Sequence, residues 1–86
     1  MEYRIQGKNM TERRAAHEEL ARALQFPEYY GCNLDALYDM LSTFEGTACL
    51  ESTAEMLNAL QGYGVSLLKT VYDAMEANKR FVFIAE

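Results

Sequence analysis

No lysine or arginine falls between residues 23 and 68. That stretch carries Glu28, Asp35, Asp39, Glu45, Glu51 and Glu55, while the two flanks are nearly balanced, so the net charge of −5 belongs to the middle of the chain. A surface of that sign repels nucleic acid and attracts a basic partner, although acidity also serves plain solubility. Proline is limited to Pro27 and half the residues are apolar, which excludes a disordered chain. No apolar run approaches the ~20 residues of a membrane span. The opening Met1-Glu2-Tyr3-Arg4 lacks the basic-then-apolar layout of a signal peptide. A cytoplasmic protein with no membrane or nucleic-acid partner is expected.

Chemistry-bearing residues are equally sparse. There is no Gly-rich phosphate loop and no nucleophile elbow. Cys32 and Cys49 do not form a C-x-x-C pair, and His17 is the one histidine. No cofactor and no catalytic residue is expected. His17 reads as a structural histidine bonded to backbone. Both cysteines should stay reduced, with Cys49 buried in an apolar stretch and Cys32 the more accessible in a polar loop.

What is present fits one domain over residues 1–86. Tyr3–Gln6 alternates as a strand does, and residues 7–9 make a turn. Thr11 fits an N-cap for a helix over about 12–25, with Ala16, Leu20, Ala23 and Leu24 inward and Pro27 as its stop. Asn33 caps a second helix over about 34–43, with Leu34, Leu37, Tyr38 and Leu41 on one face. Residues 47–51 form a strand. Ser52 or Thr53 caps a third helix, with Met56, Leu57 and Leu60 inward, which Gly62 and Gly64 end. A fourth helix over about 65–78 turns Val65, Leu68, Val71, Tyr72 and Met75 inward. The run Phe81–Ala85 reads as a strand buried on both faces and central in the sheet. The order β-α-α-β-α-α-β gives an α/β fold, a three-stranded parallel β-sheet packed with four α-helices.

Asp35, Asp39 and Ser42 share a face of the second helix, away from its leucines, with Tyr38 on the border. Carboxylates one turn apart repel. The helix dipole compensates Asp35 in the first turn, and Asp39 has no base at i±3 or i±4. Alone, this pattern is also that of a solvated helix face. Tyr29, Tyr30, Tyr38 and Phe44 lie around it, as anchors of an interface or as core, and at least one of Tyr29 and Tyr30 should point inward.

The run Leu24-x-x-Pro27-Glu28-Tyr29-Tyr30-Gly31-x-Asn33-Leu34-Asp35-Ala36-Leu37-x-Asp39 resembles the signature of the barstar family of intracellular ribonuclease inhibitors, and the likeness extends over the whole chain. The resemblance implies a non-enzymatic inhibitor, monomeric when free, whose loop and second helix plug the active site of a basic, barnase-like ribonuclease in a 1:1 complex. Asp39 matches the aspartate that stands where an RNA phosphate would lie. Asp35 and Tyr29 match central contacts, and Gly31, Asn33 and Leu34 match the surrounding loop. Tyr38 and Phe44 stand where the best-known member has tryptophans. Asp73 matches an acidic contact on the fourth helix, with Glu76 one turn further on, and Cys32 replaces an acidic residue. Two rivals use the same carboxylates otherwise. One is an immunity or adaptor module acting on a basic partner that is not a ribonuclease. The other is an enzyme using Asp35 and Asp39 as paired carboxylates, with or without a divalent metal.

Overall fold

Strands β1 (Glu2–Gln6), β2 (Gly46–Glu51) and β3 (Phe81–Ala85) form one parallel sheet in the order β1-β2-β3. The structure is a computed structural model that describes residues 1–86. A 3-10 turn at Gly7–Asn9 follows β1. Helices α1 (Arg13–Leu24) and α2 (Leu34–Leu41) connect β1 to β2, and α3 (Thr53–Leu60) and α4 (Gly62–Ala77) connect β2 to β3. The α/β class and the β-α-α-β-α-α-β order are as the sequence predicts.

The sheet is covered on one face. Ile5, Ala48, Leu50, Phe81 and Phe83 turn into the core, where they meet Leu20 and Leu24 of α1, Leu37 and Leu41 of α2, Met56 of α3, and Leu67 and Val71 of α4. The other face looks to solvent. Register aligns Arg4 with Cys49 and Cys49 with Ile84 across it, and only the thiol of the central strand is buried. Gly7 lets the chain leave β1 tightly, because a Cβ there would stand 2.5 Å from both the Glu51 and Ser52 carbonyl oxygens.

Several expectations need correction. β3 is an edge strand, not the central one, and it is buried on one face only. Two successive crossovers of the same hand step the chain one way across the sheet, so the middle strand in sequence is the middle one in space. Val82 and Ile84, β-branched residues suited to a strand, stand exposed on its solvent face. The cap of α1 is Glu12, not Thr11, and its carboxylate accepts from the Arg14 and Ala15 amides. That helix ends before Pro27 acts, at Gln25, which takes a left-handed conformation while its amide bonds Ala21 O. α2 is two residues shorter than expected, with Ser42 at its C-cap.

Gly62 and Gly64 open α4 rather than end α3, and the break falls at Gln61. A Cβ at Gly64 would lie 3.0 Å from Met56 Sδ, so the glycine lets α4 close onto α3. The buried residues of α4 are therefore Gly64, Leu67, Val71 and Ala74. Val71 is inward as expected and Leu68 and Met75 flank the core, but Val65 and Tyr72 are exposed. In an apolar helix the pattern leaves the rotation open, and the close α3 contact sets it.

Candidate partner-binding surface

The loop before α2 is fixed from beneath. Tyr30 is buried and its amide donates to Pro27 O, closing a turn. Its ring packs against Phe26 at 4.8 Å between centroids. Its hydroxyl lies 2.7 Å from Nδ1 of the fully buried His17, whose Nε2 lies 2.6 Å from the Tyr63 hydroxyl. His17 is thus held by two tyrosines rather than by backbone, a correction to the sequence reading. Nothing in the sequence ties Tyr63 to a position 46 residues earlier. Burial lowers the His17 pKa and raises those of Tyr30 and Tyr63, so all three are neutral at pH 7. Arg13 lies over the Tyr63 ring at 4.5 Å.

With Tyr30 inward, Tyr29 points out and is 81 % exposed. Gly31 is exposed, and Cys32 is half-buried with φ 53°. Cys49 is buried, so the ranking of the two thiols is as expected. Asn33 caps α2 as predicted: its Oδ1 accepts from the Ala36 amide at 2.7 Å and its Nδ2 donates to Gly31 O. One side chain therefore fixes both the loop and the helix start.

Leu37 and Leu41 bury one face of α2, and Leu34 packs at its margin. Asp35, Asp39 and Ser42 lie exposed on the other, and Tyr38, 37 % exposed, sits at the border. Phe44 is half-buried and stacks edge-on against Tyr3 and Phe81, with ring centroids 5.1 and 5.8 Å away. It is first of all a packing residue, joining the end of α2 to the sheet. Asn78 strengthens that join, donating to both Leu41 O and Phe44 O.

The charge of this surface is sharper than composition suggests. Of the acids in the base-free stretch, Glu45 pairs with Arg80 at 2.8 Å and Glu51 pairs with Arg4, both bases coming from outside it. Asp35 and Asp39 make no ion pair, and neither does Glu28 or Glu55. On α4, which packs beside α2, Asp73 pairs with Lys69 at 3.0 Å, whereas Glu76 is unpaired. No group of three or more His, Cys, Asp or Glu side chains converges as metal ligands would. No helix is long and apolar enough to cross a membrane.

A buried carboxylate escaped the sequence reading. Glu19 of α1 accepts from the Gln6 amide at 2.8 Å, from Asn9, and from two nitrogens of Arg22. Burial pushes its pKa up, but the hydrogen bonds from Arg22, Gln6 and Asn9 and the Arg22 charge outweigh that and hold it below the ordinary glutamate value. It fastens α1 to the end of β1.

Residues 1–85 match the family model described as "Barstar (barnase inhibitor)". A Bacillus subtilis (strain 168) protein named "Putative ribonuclease inhibitor YrdF" is 32% identical over 78 residues, covering 87% of this chain and 86% of that one. With the family model matching nearly every residue and this relative aligned over most of both sequences, the chain belongs to the barstar family.

Proposed function

We propose that the protein inhibits a basic, barnase-like ribonuclease by binding it 1:1 and occluding its active site, and so protects the producing cell. The reading is carried by one observation: Asp35 and Asp39 stand exposed, one turn apart and without counter-ions, on a helix whose other face is locked in the core. A ribonuclease cleft binds a polyanion and is cationic. Carboxylates held at fixed spacing replace phosphates there without losing side-chain freedom first, and steer the encounter.

In this reading Asp39 enters the phosphate site and makes charge-assisted bonds to arginine. Asp35, Tyr29 and Tyr38 surround it, while Gly31, Asn33 and Leu34 shape the loop. Asp73 and Glu76 extend the acidic surface along α4, and Phe44 supports it from below. The protein acts stoichiometrically, with no cofactor and no bond made or broken, inside the cell. Membership of the barstar family and the name of the Bacillus relative support the inhibitor role. The experiment is titration of the protein into barnase while RNA cleavage is followed. Activity should vanish near one equivalent. Cleavage that is unchanged by excess protein, for barnase and for any ribonuclease recovered by pull-down from the native strain, would overturn the proposal.

A further inference from the structure

The third strand presents an open edge. β2 covers one side of β3 and no strand covers the other. Backbone groups of successive strand residues alternate between the two sides. The Glu86 amide bonds Leu50 O and Arg80 O accepts from Gly46, so the even-numbered residues face β2. Phe81, Phe83 and Ala85 therefore aim their backbone groups outward. The Phe81 amide is satisfied by Asn78 O. The Phe83 amide has no oxygen and points at Met75 Sδ, 3.1 Å away, a weak acceptor.

The two edges differ in protection. β1 carries Glu2 and Arg4, an exposed ion pair of the kind that blunts an edge. β3 exposes Val82 and Ile84 instead, at 45 % and 44 %. Beside it Tyr72, Met75, Glu76, Lys79, Phe81 and Val82 line an open groove between α4 and the strand.

The strand's own sequence selects the occupant. Lys79-Arg80 precedes it, Glu86 follows it, and β-forming apolar residues lie between. A reversed copy matches this pattern. Antiparallel pairing centred on Phe83 sets Val82 opposite Ile84, Phe81 opposite Ala85, and Arg80, whose exposed pair with Glu45 it would share, opposite a Glu86 that has no ion pair. The Phe83 amide then exchanges a thioether for a carbonyl oxygen. Parallel pairing would set Glu86 against Glu86. We propose that β3 is a self-association edge, at which two copies pair antiparallel about a two-fold axis at Phe83 and merge their sheets into one of six strands. The contact is small and the dimer concentration-dependent, so the free monomer expected from the sequence is its dilute limit.

Sedimentation velocity on the full chain, in reductant because both cysteines are free, tests this between about 5 and 500 μM. A reversible dimer should form. Ile84→Lys should weaken it at least about tenfold without changing the circular dichroism. Glu86→Lys should weaken it, and adding Arg80→Glu should restore it. A chain that stays monomeric throughout, a dimer indifferent to Ile84→Lys, or a charge exchange that fails to restore pairing would each overturn the proposal.

Discussion

His17 Nδ1 and the Tyr30 hydroxyl stand 2.7 Å apart inside the protein, and through that bond the proposed binding loop is tied to α1. The other ring nitrogen reaches Tyr63 on α4. A loop that ends in an exposed tyrosine and an N-cap would otherwise have only local bonds to hold it. The buried histidine makes the loop part of the core, which is what a preorganised contact surface requires.

His17→Ala should therefore cost about 3 kcal/mol, because it opens a cavity and strands the buried Tyr30 hydroxyl and the partly buried Tyr63 hydroxyl. Tyr30→Phe removes one of the two bonds and should cost about 1 kcal/mol. Urea unfolding at pH 7.5 measures both. A His17→Ala variant as stable as the parent would show that the bond carries no weight.

Stability should fall with acid in two stages. The folded His17 has a lowered pKa, so below its ordinary value of about 6.5 the unfolded chain takes up a proton that the folded chain refuses. Folding free energy is then lost progressively from that pH down to the folded pKa. Glu19, also lowered, adds a second loss that begins near the ordinary glutamate value. Denaturation midpoints between pH 8 and about pH 3 follow this course. The upper stage should vanish in His17→Gln, and the lower one should vanish in Glu19→Gln.

The element order was legible because strand alternation, caps and breakers fell in regular succession. Asn33 and the inward leucines of α2 were legible because a cap and a 3.6-residue period are local signals. Four features were not. Strand order depends on the hand of the crossovers, which apolar content does not report, so the most apolar strand lies at an edge. Glu12 took over the α1 cap because its carboxylate reaches two amides, which a residue preference does not reveal. α4 is apolar around much of its surface, and its rotation was set by Gly64 closing on Met56. The His17–Tyr63 contact joins distant positions and leaves no periodic trace. The acidic face of α2 was readable in outline, but which acids lack counter-ions depends on Arg4 arriving from β1 and Arg80 from the turn before β3.

Asn33→Ala removes the bond to the Ala36 amide and the tie to Gly31 O. A cap of this kind contributes about 1 kcal/mol. Thermal unfolding should show that loss, and amide exchange should quicken at residues 31–36 before it does in the sheet. Uniform quickening across the chain would mean that the loop has no independent opening.

Asp39→Ala should separate binding from folding. In the free protein Asp39 has no counter-ion, it repels Asp35 one turn away, and alanine is the better helix former. Thermal stability should therefore be unchanged or rise by a few tenths of a kcal/mol. In the complex the same change leaves a partner cation buried and unpaired, which costs about 3–5 kcal/mol, or two to three and a half orders of magnitude in affinity. Asp73→Ala should cost much less, since Asp73 already has Lys69 for company and must be drawn from it. Lys69→Ala should tighten binding slightly by freeing that carboxylate and removing a like charge from the partner's rim. Inhibition constants against barnase, measured at two salt concentrations, rank the four proteins. If Asp39→Ala inhibits as well as the parent, the phosphate-site role of Asp39 fails, even where inhibition itself persists.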